Sequence, residues 1–93
     1  MRNYEFTVIF DANEEQTKAG LEVVDSLFKA ANVEITKQED MGVRILAYAI
    51  KKQDKGHYVY FELKAEPSSI LGFEQKFLLT PSILKFLFVN SDK

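Results

Sequence analysis

Residues 43–66 read VRILAYAIKKQDKGHYVYFELKAE, and the fold is decided here. In its second half Val59, Phe61, Leu63 and Ala65 alternate with Tyr58, Tyr60, Glu62 and Lys64, the period of two that marks a strand with one buried face. In its first half Val43 to Lys52 is extended as well, and Gln53-Asp54-Lys55-Gly56 has the composition of a hairpin turn ending in Gly. The stretch is therefore an antiparallel pair of strands, the second covering His57 to Glu66.

Reading outward from the hairpin, Pro67 with Ser68 and Ser69 suits the first turn of a helix, and Ile70, Phe73, Phe77 and Leu78 recur at helical spacing. Thr80-Pro81-Ser82 stops that helix, and Ile83 to Val89 is a last strand before the polar tail Asn90 to Lys93. On the other side, Val33 to Lys37 is extended and Gly42 marks a bulge or bend. Leu21, Val24, Leu27, Phe28 and Ala31 define a helix from Asn13 to Ala31; Asn13 and Gln16 resemble a capping box, and Glu14 and Glu15 suit the positive helix end. Tyr4, Phe6, Val8 and Phe10 alternate with Glu5, Thr7 and Ile9 in a first strand.

The order β-α-β-β-α-β, with a hairpin in the middle and a helical crossover on each side, predicts the ferredoxin-like split βαβ arrangement of the α+β class. Right-handed crossovers place the first and third strands in the centre of a four-stranded antiparallel sheet, with both helices on one face. Residues 1–93 are read as a single domain.

The opposite face of that sheet is left open. Alternation puts Ile9, Tyr58, Tyr60, Leu87 and Val89 on it, together with Ile45 if Leu46, Tyr48 and Ile50 are buried. An uncovered apolar patch of this kind marks a partner site, although cross-strand aromatic pairs also occur in water without one. Aromatics on a central strand are similar to those with which RNA recognition motifs stack bases, but His57-Tyr58-Val59-Tyr60-Phe61 lacks that motif's Gly between basic and aromatic residues.

The net charge of −2 excludes nucleic-acid binding by bulk charge, and its distribution says more. Asp11, Glu14, Glu15, Glu22 and Asp25 crowd the first third of the chain, whereas Arg44, Lys51, Lys52, Lys55 and His57 cluster in the middle against Asp54 alone. One surface of an acidic protein can thus be basic, the bland alternative being a solvated hairpin end. With no cysteine, disulfides, Cys-ligated metals and thiol chemistry are excluded. No apolar run approaches the ~18 residues of a membrane span and the N-terminus meets a charged, alternating stretch, so the chain is expected to be soluble and cytoplasmic.

Catalytic readings fail on the residues. His57 is the only histidine, and neither H-x-x-x-H, G-x-S-x-G nor a P-loop occurs. Acylphosphatases share the topology, but their phosphate site follows the first strand, where Asp11-Ala12-Asn13-Glu14-Glu15 would repel an anion. Glu39 and Asp40 are neighbours on a strand and point apart, so they make a poor cation site. No enzyme activity, cofactor or metal is expected.

The central stretch resembles a known family. Gly42-Val43-Arg44-Ile45-Leu46-Ala47-Tyr48-Ala49-Ile50-Lys51-Lys52, followed by Gly56-His57-Tyr58, is similar to the G-x-R-x-L-A-Y-P-I-x-K and G-x-Y stretches of bacterial ribosomal protein six. Met1-Arg2-Asn3-Tyr4-Glu5 resembles the family's opening, and Ile83-Leu84-Lys85-Phe86-Leu87-Phe88-Val89 its V-L-R-Y-L-V-V final strand. Ala49 stands where the family usually has Pro, and Lys85 where it has Arg. The resemblance implies a structural component of the small ribosomal subunit that binds the central domain of 16S ribosomal RNA as a heterodimer with ribosomal protein eighteen. Arg2, Arg44, Lys51, Lys52, Lys55 and Lys85 are then the expected RNA-binding residues, making phosphate contacts, and Ile9, Tyr58, Tyr60, Leu87 and Val89 the partner-binding ones. The alternative is a stand-alone ferredoxin-like protein-interaction or ligand-sensing domain, which would use its sheet to dimerise and ignore RNA.

Overall fold

A computed structural model describes residues 1–92; of the expected tail Asn90 to Lys93, Lys93 lies outside the described residues. The chain runs β1 (Arg2–Asp11), α1 (Glu14–Ala30), β2 (Glu34–Ile50), β3 (Gln53–Ala65), α2 (Pro67–Leu78) and β4 (Ile83–Asn90). The four strands form one antiparallel sheet in the order β2-β3-β1-β4, the ferredoxin-like arrangement with β1 and β3 central.

All eight phenylalanines of the chain lie in or against one core on the helix side. Phe6, Phe10, Phe61 and Ile83 from the sheet meet Val24 and Phe28 of α1 and Phe73 and Phe77 of α2, each no more than 4% exposed. Phe6 is the hub, stacked on Phe88 with centroids 4.3 Å apart and edge-on to Phe28 at 5.6 Å, the offset and T-shaped arrangements that the ring quadrupole favours. The alternation of β1 and β3 is thus explained by the Phe, Val and Leu side chains that it aims at one layer of helix.

Local chemistry fixes the ends of α1. Asn13 Oδ1 accepts from the backbone N–H of Glu15 at 2.9 Å and of Gln16 at 3.3 Å, so Asn13 is the N-cap. The reciprocal half of the capping box is supplied by Asp11, whose carboxylate accepts from the Asn13 N–H at 3.0 Å. At the other end Asn32 takes φ 57°, Val33 N–H donates to the Phe28 carbonyl at 2.9 Å and Asn32 N–H to that of Lys29 at 3.1 Å. This left-handed Schellman closure turns the chain directly into β2.

The hairpin turn differs from expectation. Ile50 pairs with Gln53, so the turn is Lys51-Lys52, with φ of 50° and 65°. Two left-handed residues form the primed turn whose twist suits a two-residue hairpin, a place where Asn and Gly are favoured and Lys is strained. Gly56 is instead inside β3, paired with Asp11 on one side and Arg44 on the other. It is there because a side chain would not fit: a Cβ would stand 2.3 Å from Ile9 Cγ2.

β2 is a single long edge strand with three irregularities. One extra residue bulges at Ile35/Lys37 and another at Asp40/Gly42, where Gly42 has φ 79° as its bulge predicts. Asp40 Oδ1 braces this second bulge, accepting from Gly42 N–H at 2.8 Å and hydrogen-bonding His57 Nε2 at 2.5 Å. Those two bonds, the Gly42 N–H first, hold the Asp40 carboxyl below the usual carboxylate range. Between the pairs Ile45/Lys55 and Ile50/Gln53, residues 46–49 face Asp54 alone.

That excess length carries the hairpin end over the open side of the sheet. Leu46, 8% exposed, packs with Ile9 and Leu84 in a second small cluster that Ile50 and Tyr58 border. Lys51 Nζ donates to the Ile83 carbonyl at 3.0 Å and ties the tip to β4. Leu46 therefore covers the open face instead of joining the helix-side core, and Ile45, beside Lys55, is turned the other way and 79% exposed. The tail is also tied down: Ser91 N–H donates to the Asn3 carbonyl at 2.9 Å, and Asp92 accepts from Asn3 N at 3.0 Å and Nδ2 at 2.8 Å.

Candidate functional site

The strand register arranges the open face in rows across β4, β1, β3 and β2. One row is Val89, Glu5, Glu62 and Lys37; the next is Leu87, Thr7, Tyr60 and Glu39; the third is Lys85, Ile9, Tyr58 and Gly42. Arg44 follows, opposite Gly56, with its guanidinium 5.9 Å from the Tyr58 ring centre.

Four of the five expected partner-binding residues share accessible surface on this face. Leu87 and Val89 are exposed at 59% and 45%, and Tyr58 and Tyr60 are half-buried. Ile9 is not on the uncovered surface: at 8% exposure it is sealed by Leu46 and Leu84 of its own chain. Ile45 is also absent from this face, for the reason of register given above. Tyr60 is not a bare aromatic either. Its hydroxyl stands 2.7 Å from Glu5 Oε1 and 3.1 Å from Glu62 Oε2, and Lys37 Nζ lies 6.0 Å from its ring centre. The hydrogen bond to Glu5, then desolvation and Glu62, push the phenol above its ordinary pKa, because ionisation would place a third negative charge there.

The six expected RNA-binding residues divide. Arg44, Lys51, Lys52, Lys55 and Lys85 gather at the hairpin end of the sheet, Lys55 on the Ile45 side and Lys85 beside Ile9. Arg2 is at the other end of β1, roughly 23 Å from the level of Ile9 at about 3.3 Å per strand residue. It faces Asp92 at 3.6 Å. Lys51 uses its ammonium internally on the Ile83 carbonyl, whereas Lys52 projects from the tip, exposed.

The acidic neighbours of Tyr60 are the feature that sequence reading leaves out. Alternation puts Glu5 and Glu62 on the open side, but only the register shows them directly opposite one another, with Glu39 across from Tyr60. The open face is thus acidic around Tyr60 and basic around Arg44 and Lys85, with Leu87, Val89 and Tyr58 between and beside them.

The fold and this face together define a two-layer ferredoxin-like domain that presents a bare, charge-divided sheet. A profile of the family described as Ribosomal protein S6 matches residues 3–90. The small ribosomal subunit protein bS6 of Treponema denticola is 38% identical over 97% of this chain and 97% of its own length. That of Parabacteroides distasonis is 37% identical over 100% of this chain and 80% of its own. The crystal structure of 30S ribosomal protein S6 from Thermotoga maritima superposes with a TM-score of 0.85 at 28% identity, covering 96% of this chain and 86% of that one. The C-terminal domain of the MgtC protein from Mycobacterium tuberculosis superposes with a TM-score of 0.68 at 10% identity, a likeness of fold alone. The chain belongs to the ribosomal protein S6 family, structural and non-enzymatic proteins of the bacterial small ribosomal subunit in the cytoplasm.

Proposed function

We propose that this protein holds a segment of the central domain of 16S ribosomal RNA in shape, together with ribosomal protein eighteen docked on its open sheet face. The observation that carries this reading is the division of charge. A chain of net charge −2 gains little from RNA as a whole, yet five of its cations converge at one end of the sheet. Arg44, Lys52, Lys55 and Lys85 make phosphate contacts that position the RNA without reading its sequence, while a basic protein partner supplies the charge that this chain lacks. Recognition is of folded RNA shape. Leu87, Val89, Tyr58 and Tyr60 give the partner its apolar footing, since both helices are spent on the opposite face.

The test is RNA association in the presence of the partner across a salt series. Arg44→Glu, Lys52→Glu and Lys55→Glu together should weaken binding and flatten the salt dependence, by about 0.7–0.9 in log–log slope for each phosphate no longer neutralised. Glu14→Lys and Glu15→Lys on the exposed start of α1 should do much less. Equal effects from the two sets would remove the hairpin end as the RNA site.

A further inference from the structure

We propose that the acidic part of the open face, Glu5 and Glu62 with Tyr60 between them, seats a cationic side chain of the docked protein, and that RNA is kept out of this part. The proposal rests on the reading that the open face docks a protein, and it assigns the chemistry of the segment that lies there.

Glu5 and Glu62 are direct cross-strand neighbours, and like charges so placed repel. Tyr60 nevertheless draws them together. Its hydroxyl lies 2.7 Å from Glu5 Oε1 and 3.1 Å from Glu62 Oε2, so the two oxygens are at most the sum of those lengths, 5.8 Å, apart. The hydroxyl has one proton to share between two carboxylates that each accept several hydrogen bonds. The countercharge within the cluster is slight: Lys37 Nζ is 3.9 Å from Glu62 Oε2 at a half-exposed site. A guanidinium or ammonium entering from above the sheet would cancel the repulsion and take up the remaining acceptors, a charge-assisted bond to both strands at once.

The surroundings say what carries that cation. Leu87 and Val89 stand exposed on β4 beside Thr7 and Glu5, and Thr7, Ile9, Lys85, Phe86 and Leu87 line a shallow dent of about 220 Å³. A segment with a basic residue next to an apolar one matches the seat and the dent together. A phosphate backbone matches neither, since Glu5, Glu39 and Glu62 would oppose it. Arg44 and Lys85, which would attract it, lie nearer the hairpin tip. The open face is thereby apportioned, protein over Tyr60 and RNA over the hairpin end.

The experiment titrates ribosomal protein eighteen from the same bacterium into the full chain and into Glu5→Gln, Glu62→Gln, the double variant and Leu87→Ala, at two salt concentrations. Glutamine keeps an acceptor for Tyr60 and removes the charge, so melting temperatures should hold. The double variant should bind about tenfold more weakly or worse and show a shallower salt dependence, consistent with removal of a hydrogen-bonded charge pair. Crossing it with Arg or Lys to Gln changes in the partner should be non-additive at one partner position. If Leu87→Ala weakens binding and the glutamine variants do not, the face docks the protein but the cation seat is wrong. If none of them weakens binding, the docking reading fails with it. If the double variant gains RNA affinity in the assembled complex while partner affinity stays, RNA occupies the acidic part and the apportionment is overturned.

Discussion

Replacing Gly56 with Ala tests the way the hairpin end is folded over the sheet. The added Cβ would stand 2.3 Å from Ile9 Cγ2, 1.1 Å inside the 3.4 Å at which ordinary van der Waals separation begins, and 3.4 Å from Leu46 Cδ2. Ile9 cannot swing aside, because its branched Cβ restricts its rotamers and Leu46 and Leu84 wall it in. Either β1 and β3 separate here or Leu46 lifts with the hairpin tip. Such overpacking costs ~1–3 kcal/mol, offset by ~0.5–1 kcal/mol for the backbone freedom that Ala does not have to lose. A net destabilisation of about 1.5 kcal/mol lowers the melting temperature by about 6–12 °C in a domain of this size. Denaturant and thermal melts of Gly56→Ala, Ile9→Ala and the double variant decide the cause. If the collision is responsible, Gly56→Ala is harmless in the Ile9→Ala background, and the two changes couple by more than about 1 kcal/mol. A Gly56→Ala protein within about 0.5 kcal/mol of the parent, or strict additivity with Ile9→Ala, would refute the packing described here.

Four further outcomes are expected. Gly20→Ala, although it raises helix propensity by about 1 kcal/mol, should lower the denaturant midpoint, because its Cβ would meet the fully buried Phe10 ring at 2.4 Å; a raised midpoint would mean that Phe10 can move. Lys52→Gly should stabilise the fold by about 1 kcal/mol through relief of its left-handed backbone, seen in the same melts, while weakening RNA retention in a filter assay; no gain in stability would mean that the turn is not strained. Asp40 has a lowered carboxyl pKa in the folded chain, so its contribution to stability is present above the ordinary carboxylate value of about 3.9 and is lost as pH falls through the lower folded value; an NMR titration should show the Asp40 carboxyl carbon and the Gly42 amide moving together in that acid range, and an Asp40 carboxyl that titrates at or above the ordinary value would contradict the bond. Tyr60→Ala should cost partner affinity about thirtyfold, for a ~2 kcal/mol interface anchor, with a smaller change in the denaturant melt; intact affinity with a large drop in stability would make Tyr60 a structural residue.

The sequence carries the order of the elements because each reports its burial locally. Phe6, Val8 and Phe10 alternate, Val24 and Phe28 step by one helical turn, and Asn13 caps where a cap is expected. What escapes is governed by residues that meet only through space. The turn at Lys51-Lys52 is hidden because lysine is an ordinary strand-end residue, and its left-handed backbone is imposed by the register on either side. Gly56 looks like turn chemistry but answers to a methyl group of Ile9, 47 positions earlier in the chain. Ile9 itself reads as an exposed alternation partner, since no rule of period two foresees that residues 46–49 overhang the sheet. Arg2 is placed with the other cations by charge alone, although the length of β1 keeps it apart from them. The acidic pair Glu5 and Glu62 needs a cross-strand register, which a single sequence does not contain.

The pairing of β1 has a consequence for the making of the molecule. Tyr4 is matched with Asn90 and Arg2 with Ala65, so the first strand synthesised is held between the third and the last. No sheet can be completed around it while the ribosome that is translating the chain still holds residues 83–90 in its exit tunnel. Until β4 is free to pair, Phe6, Val8 and Phe10 wait without their neighbours on it, although α1, the β2–β3 hairpin and the pairing of β1 with β3 do not need it. Closure then requires pairing between residues as far apart in sequence as Tyr4 and Asn90, the non-local kind of contact that slows folding and leaves apolar surface exposed in the interval.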